Sequence, residues 1–471
     1  MTKDSTNNRI NDHALERVPE GDRHTWLDIS WNTVGIVTTL IQVYVGALIT
    51  FVAGIKIALL AGLIVAIIGG LLGWGTGHIA YKSGLTSGVM ARLYGFGIKG
   101  SVVASSIFGF MIIGFIAAEN VLLYKGFLFY FNAEDTLVNQ VVVYSLLTAT
   151  WILLTTYGFE MVTRVSSYML VGFLIVLFYM MAQIMSQSSQ TWIEVVSFDS
   201  QFPAHLLESL GAESDLGKLI FCINILAGSA GALALIDADL GRYARSSKDI
   251  GIAAFLGNFA LDIFMIVMGG AIMYAGMPAL IEYYVNVVGL SQAEAASIAI
   301  ENPDRVAAAF IVFGGALGAL LMVLAQSKAQ VMNTYSSSLS LANLSDAVFS
   351  WQPSRFIFVV LANVLSLLFL YGDLVIWFKS FLIILGILTM SFAGIMMADY
   401  YVVRPRLGQE DTDKYANENI NWAGILSIPL AFVLSHYVFN SIITIEVVTA
   451  LVVAFVGYPL LRLYVFKPNY N

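Results

Sequence analysis

Long continuous apolar runs recur along almost the whole chain of 471 residues, and they exclude most kinds of fold. A helix that crosses a bilayer needs about 20 mostly apolar residues. Such runs lie at 28–53, 56–80, 99–130, 138–157, 165–186, 216–240, 250–276, 306–335, 356–371, 374–402, 421–440 and 443–465. A membrane β-barrel is excluded because its strands alternate apolar and polar residues. The pattern predicts an all-α membrane protein with about twelve transmembrane helices.

The composition agrees with a surface that faces lipid. Hydrophobic residues make up 58% of the chain and charged residues only 11%, whereas soluble proteins carry about 25% charged residues. The net charge of −8 disfavours nucleic acid as a partner, because that binding requires a basic surface. With one cysteine, Cys222, and five scattered histidines, the sequence predicts no metal site and no cofactor.

The charges of the loops predict an orientation. If the N-terminus is cytoplasmic, the cytoplasmic segments hold 17 of the 23 basic residues, for example Arg92, Arg242 and Arg404. The outer loops 187–215 and 277–305 are mostly acidic. This asymmetry follows the positive-inside rule and predicts an inner-membrane protein with both termini in the cytoplasm. Residues 1–25 lack an apolar core, so they are predicted to be a cytoplasmic tail and not a signal peptide.

Small and polar residues interrupt two of the spans. The first span carries Thr38, Thr39, Gln42 and Gly46, and the sixth carries Gly228, Ser229 and Gly231 before Asp237 and Asp239. Transporters often break two helices at corresponding places and bind their solute there. Small residues also let intact helices pack closely, and this pattern alone does not choose between the two. The charges after the sixth span fit an anchored helix end or part of an inner gate.

Two ionisable side chains, Glu119 and Lys328, lie deep inside apolar spans. Such groups are costly in a bilayer and usually face the bundle interior with a partner. The alternative is that each is a satisfied packing residue or extends toward the membrane surface. Phe115 lies four residues before Glu119, so the two share a helix face suited to stacking on and hydrogen bonding a heterocycle.

Amide side chains surround Lys328 in the eighth span. Gln326, Gln330 and Asn333 suit a planar solute with hydrogen-bond donors and acceptors, although amides also join membrane helices to one another. The sequence has neither a phosphate-binding loop nor a visible nucleophile–base pair. It therefore predicts neither an ATP-driven pump nor an enzyme.

Five stretches resemble one family of membrane proteins. They are YKSGLTSGVMARLYGFGIKGS at 81–101, GSAGALALIDADLGRYARSSKD at 228–249, NTYSSSLSLANL at 333–344, ADYYVVRPR at 398–406 and, more weakly, TWLDISWNTVG at 25–35. They are similar to the nucleobase:cation symporter-1 family, which includes cytosine permeases and the hydantoin transporter. The resemblance extends over about residues 24–406.

The resemblance implies the leucine-transporter fold, with two inverted five-helix repeats and two further helices. The implied boundaries are a tail at 1–25, repeats at 26–187 and 188–406, and a last segment at 407–471. The first, third, sixth and eighth spans would line a central site for a nucleobase or related heterocycle, and transport would be driven by Na⁺ or H⁺. Phe115 falls where cytosine permeases carry a stacking Trp. Gly228 and Ser229 fall on the Gly-Ser of the broken sixth helix.

Lys328 is the largest departure from the family pattern. Lys328 and Ala329 fall where cytosine permeases present two Thr hydroxyls to Na⁺, between the first and eighth spans. We therefore expect an ammonium to replace the ion, and coupling to H⁺ rather than Na⁺, carried by Lys328 or Glu119. The third span, with Glu119, and the eighth span, with Lys328, would both line the site, so an ion pair between these two residues is a further hypothesis.

The sequence thus predicts an importer that works by alternating access. The expected solute contacts are Gln42, Phe115, Glu119, Gly228, Ser229, Gln326 and Asn333. Two alternatives stay open: a carrier of amino acids or other cationic solutes on the same fold, and a channel or sensor that does not pump. The expected partners are a small heterocycle and the lipid bilayer, and no oligomeric state is predicted.

Overall fold

The structure, a computed structural model, describes residues 16–156, 159–188, 190–301, 306–368, 374–408 and 418–467. These residues form helices joined by short connections, with one isolated bridge between His24 and Ala244. The predicted tail up to residue 15 and the end of the predicted ninth span at 369–371 lie outside the described residues.

The helices of the first half follow the predicted spans closely. They are α1 (Trp26–Val37), α2 (Leu40–Ala53), α3 (Ile55–Ser83), α4 (Ser87–Leu93), α5 (Ser101–Phe131), α6 (Leu137–Thr155), α7 (Phe159–Gln187), α8 (Trp192–Val195) and α9 (Ala204–Leu210). Threonine hydroxyls accept hydrogen bonds from the first free backbone amides of α2, α4 and α6, which stabilises these starts. Gly54 has a φ of 78° and makes the sharp turn between α2 and α3.

The second half is also helical. Its helices are α10 (Asp215–Gly241), α11 (Ser247–Phe259), α12 (Met265–Tyr283), α13 (Gln292–Glu301), α14 (Val306–Gly314), α15 (Ala316–Phe349), α16 (Arg355–Leu368), α17 (Leu374–Ala398), α18 (Arg404–Leu407), α19 (Trp422–Val433) and α20 (Glu446–Leu460). A π-helical turn at Ala260–Phe264 joins α11 to α12, and further π turns follow α12, α17, α19 and α20.

The helix–helix contacts fall into two groups. In one group α3 lies along α10 and α11, and α2 lies along α12; in the other, α15 packs against α5, α7 and α16. Glycines permit the closest crossings. A Cβ atom at Gly46 would lie 2.5 Å from the carbonyl oxygen of Met265, so only glycine fits there.

The eighth span differs from its prediction. The run 306–335 is two helices, because Gly315 with a φ of 49° separates α14 from α15, and α15 then continues to Phe349. The second half of α15 is too polar to be recognised as a span from apolar length alone. Its polar residues are nevertheless buried within the protein.

Eight helices in the described part of the chain are long and apolar enough to cross a membrane. The bent pair α1–α2 adds a ninth, and α16 and Trp422–Val438 are shorter apolar helices. An integral, multi-pass membrane protein is therefore confirmed. The count of twelve spans stays a prediction.

Candidate functional site

The first span is broken at its centre, as its polar residues suggested. Helix α1 ends at Val37 and α2 begins at Leu40, with a bend of 64° between them. Thr39 is extended and caps α2 by accepting a hydrogen bond from the amide of Gln42. Unwinding at Thr38 and Thr39 releases backbone groups that a continuous helix would pair internally.

The side chain of Lys328 reaches this break from α15. Its Nζ donates to the carbonyl oxygen of Gly35 at 3.0 Å and to that of Thr38. The ammonium also lies 4.5 Å from the ring centroid of Phe173 on α7, a cation–π contact. Lys328 is 0% exposed, so it extends neither to lipid nor to the membrane surface.

Glu119 lies on α5, and its carboxylate accepts a hydrogen bond from Nδ2 of Asn333 at 3.3 Å. Thr39, at the break, lies beside the same carboxylate. The hydrogen bonds of Lys328 go to backbone carbonyls and not to Glu119, so the structure does not form the direct ion pair considered above. The two charges interact through space across the break instead.

A cavity lies next to the break, with an empty volume of about 380 Å³ that includes space open to solvent. Its lining comes from α1, α2, α5, α10, α15 and the turn between α11 and α12: Ile36, Val37, Thr39, Gln42, Phe115, Glu119, Ser229, Ala232, Leu233, Ile236, Leu261 and Asn333. A few polar groups set in apolar walls are typical of small-molecule sites.

Five of the seven expected solute contacts meet at this cavity. They are Gln42, Phe115, Glu119, Ser229 and Asn333. Phe115 makes a T-shaped contact with Phe381 of α17, with ring centroids 6.0 Å apart. The hydroxyl of Ser229 is buried and has no hydrogen-bond partner, which leaves it available to a solute.

Gln326 and Gly228 do not line the cavity. Gln326 donates to the carbonyl oxygen of Glu119 at 2.9 Å and accepts from the amide of Leu40, so its amide joins α15 to α5 and α2. Gln330 similarly donates to the carbonyl oxygen of Ile116 on α5 at 2.9 Å. These two amides are helix-joining groups, the alternative that membrane packing suggested.

The prediction that the sixth span is broken is wrong. Helix α10 runs without interruption from Asp215 to Gly241. Gly228 faces the backbone of Leu382 on α17, and its lack of a side chain lets the two helices touch. The small residues of this span therefore serve packing, and no backbone groups are freed beside the cavity.

The charges after the sixth span join helices at one end of the bundle. The amide of Ser87 donates to Asp239 Oδ1 at 2.7 Å, and Arg242 donates to the hydroxyl of Tyr335 at 2.9 Å. Asp239 and Arg242 are buried, while Arg245 and Lys248 are exposed. Asp239 and Arg242 thus connect α10 to α4 and α15.

Sequence reasoning missed several apolar lining residues. Leu233 and Ile236 follow Ser229 at helical spacing, so the helix face that carries Ser229 could have identified them. Leu261 is different, because it reaches the cavity from a π-helical turn that no pattern in the sequence predicted.

Comparison with known proteins identifies the family. The family model described as "permease for cytosine/purines, uracil, thiamine, allantoin" matches residues 25–458. The chain belongs to this family. The predicted resemblance is thus confirmed, and this permease is a transmembrane transporter and not an enzyme. No curated protein sequence matches it.

Solved structures of similar fold are also transporters. Mhp1 in its inward-facing conformation is 17% identical, with a TM-score of 0.65 over 93% of this chain and 91% of that one. Mhp1 in a closed conformation with bromovinylhydantoin bound, described as a nucleobase-cation-symport-1 family transporter, is 16% identical, with a TM-score of 0.66 over 96% and 94%. A Na⁺-coupled sialic acid symporter is 14% identical, with a TM-score of 0.61 over 96% and 92%. These likenesses confirm the leucine-transporter fold class.

Proposed function

We propose that this permease imports a nucleobase or related nitrogen heterocycle by alternating access and couples the import to protons rather than sodium. The observation that carries the coupling is the ammonium of Lys328 on the carbonyl oxygens of Gly35 and Thr38. A buried cation there performs electrostatically what a bound metal ion does for a broken helix.

The residues around the break do not fit a sodium ion. Sodium is a hard cation that takes oxygen ligands, and the carbonyl oxygens of Gly35 and Thr38 already accept from an ammonium. Ala329, the neighbour of Lys328, offers only a buried methyl group. A sodium ion placed beside Nζ would meet a like charge at contact distance, which is strongly unfavourable in a low-dielectric interior. No transport step is therefore assigned to sodium.

The cavity supports a small planar heterocycle as the solute. Phe115 offers a ring, while Glu119, Asn333, Gln42 and Ser229 offer acceptors and donors around it. An aromatic face with a few convergent polar groups recognises a flat ring with N–H and C=O edges. The neighbour Mhp1 was solved with bromovinylhydantoin, a compound of this kind.

The basic residues assigned to the cytoplasm support the proposed orientation. Arg92, Arg404 and Arg462 line one cavity at one end of the bundle, where Arg404 pairs with Asp399 and Arg462 with Glu418. A basic end of this kind faces the cytoplasm under the positive-inside rule. We propose an inner-membrane protein with both termini on that side.

Uptake is expected to be independent of sodium. In cells or proteoliposomes, replacing sodium by choline should leave the initial rate within about twofold, because Lys328 already holds the cation position, whereas an uncoupler should abolish accumulation. The panel of labelled solutes should include adenine, cytosine, uracil, allantoin, a hydantoin, an amino acid and a polyamine.

Strict sodium dependence would contradict the coupling. Accumulation of only the amino acid or polyamine, with no competition from the heterocycles, would favour the cationic-solute carrier. Flux that does not saturate and stops at equal concentrations would favour a channel.

Phe115→Ala is expected to raise KM for the transported heterocycle about tenfold, because stacking of a base on an aromatic ring contributes about 1–3 kcal/mol. The maximal rate should change little, because the ring contacts the solute equally in the bound state and in the transition state for transport. Kinetics of labelled uptake measure both constants. Phe131→Ala is the control, because Phe131 lies on the same helix and is 69% exposed. Equal KM values for the two variants would remove Phe115 from the site.

A further inference from the structure

Three buried polar side chains at the junction of α3, α10 and α11 have unused oxygen atoms. Both carboxylate oxygens of Asp237 and of Asp262, and Oδ1 of Asn258, have no hydrogen-bond partner. Each of these residues is 0% exposed. None of them lines the solute cavity, and none is used by the transport mechanism proposed above.

Glycines of α3 hold two of these side chains in place. Oδ1 of Asn258 occupies the space where Gly69 has no Cβ atom, and Oδ2 of Asp237 occupies the corresponding space one turn later at Gly73. The hydroxyl of Thr33 is the polar neighbour of Asp237. That hydroxyl donates to the carbonyl oxygen of Ile29 at 3.1 Å, and neither carboxylate oxygen of Asp237 has a hydrogen-bond partner. A buried carboxylate without a donor is less stable than the neutral acid.

The three side chains form a line that begins at the level of the solute cavity. Asp262 lies in the π-helical turn directly after Leu261, which lines the cavity. Asn258 lies four residues before Asp262 in the chain, and Ala254 lies four residues before Asn258. The side chains of Ala254 and Asp237 both lie next to Gly73, where a Cβ atom would be. Eight residues of helix span roughly 12 Å. The line therefore extends from the cavity toward the end of the bundle that holds Asp239 and Arg242.

Among the described residues, no charged side chain pairs with either acid. The charged groups of the elements packed around them lie nearer the helix ends: Asp28, Lys56, His78, Lys82, Arg164, Asp215, Lys218, Asp239, Arg242, Lys248, Asp249 and Glu282. An isolated buried carboxylate costs many kcal/mol, and such a group takes up a proton instead.

We propose that Asp262 and Asp237 form a second proton-binding site, separate from Glu119 and Lys328, in which each acid binds and releases one proton in each transport cycle. Each carboxylate takes up a proton from water to become a neutral acid, and returns it to water on the other side. Movement of α11 against α3 during alternating access would admit water to the line. The transport half of this inference rests on the proposed function, whereas the protonation of the two acids does not.

Infrared spectroscopy of the purified wild-type protein in lipid tests the protonation directly. A buried carboxylic acid gives a C=O band that shifts in D₂O, and we expect Asp262→Asn and Asp237→Asn each to remove intensity from it. Asp199→Asn is the control, because Asp199 is exposed in a loop. Asp262→Glu should restore the band. A wild-type spectrum without such a band, or one unchanged in both variants, would overturn the inference without bearing on solute transport.

Transport stoichiometry tests the coupling. In proteoliposomes with a one-unit pH gradient, each coupled proton supports about a tenfold solute gradient, so Asp262→Asn should lower the final accumulation about tenfold. Solute exchange without a gradient should stay within about twofold of wild type, which shows that the variant is folded. Unchanged accumulation in Asp262→Asn would assign the acid a structural role and reject the coupled site. If wild type ignores the pH gradient, the proposed proton coupling fails as well, while the infrared result still decides the protonation.

Discussion

Lys328→Ala is expected to reduce uptake about a hundredfold or more. The substitution leaves the carbonyl oxygens of Gly35 and Thr38 buried without a donor, and each unsatisfied group costs about 1–3 kcal/mol. Two such losses total roughly 3 kcal/mol, which is about a hundredfold change in the population of the binding-competent state. Initial rates of labelled uptake, normalised to folded protein, measure the effect.

A matched pair of variants separates lost charge from lost folding. Lys56→Ala removes an exposed lysine on α3 and should transport like wild type. Lys328→Thr combined with Ala329→Thr restores the two hydroxyls that cytosine permeases carry there, and it should make uptake depend on sodium. Normal transport by Lys328→Ala, or a double variant that transports without stimulation by sodium, would contradict the substitution of an ion by the ammonium.

Gly228→Ala is expected to destabilise the folded protein rather than weaken solute binding. A Cβ atom at Gly228 would lie 2.4 Å from the carbonyl oxygen of Leu382, and a Cβ atom at the facing Gly386 would lie 2.8 Å from the Cα of Gly228. Two helix backbones cannot move apart as a flexible side chain can, so overpacking should cost about 1–3 kcal/mol or more. We expect a lower Tm and a smaller monodisperse fraction in detergent, with KM unchanged in whatever protein folds.

Gly457→Ala is the control for this effect. A Cβ atom at Gly457 meets no other atom within 4 Å, so the same chemical change should leave Tm unaltered. If Gly228→Ala instead has the Tm of wild type and a raised KM, Gly228 contacts the solute as the sequence predicted. That result would show that α10 opens during transport although it is continuous in this structure.

Some of the polar residues predicted to contact the solute line the cavity, and others join helices to one another. The difference depends on which element packs beside each residue. Asn333 and Gln326 are both amides on α15, seven residues apart, and the sequence treats them alike. Asn333 reaches the cavity beside Glu119, whereas Gln326 bonds to the backbone of α5 and α2. A membrane helix satisfies its polar groups with whatever element packs beside it, and that partner is not encoded within the helix itself.

Asp237 and Asp262 are a second case. The sequence placed Asp237 among the charges of a helix end, and Asp262 was not among its candidate residues. The structure buries both completely, because the glycines of α3 let α10 and α11 approach closely. The spacing of Gly69 and Gly73 was visible in the sequence, but only the packed helices show which side chains enter those spaces.

The membrane class, the family and most of the polar residues at the cavity followed from the sequence alone. Apolar length, loop charge and local motifs are properties of short segments, and the bilayer acts on each segment separately. Which helix breaks was decided by tertiary structure. The first span unwinds where the ammonium of Lys328 takes its free carbonyl oxygens, while the sixth stays regular because Gly228 packs directly on α17. Both spans carry small residues, so the difference lies in their neighbours: a backbone group released inside a membrane protein must find a partner, and only the fold supplies one.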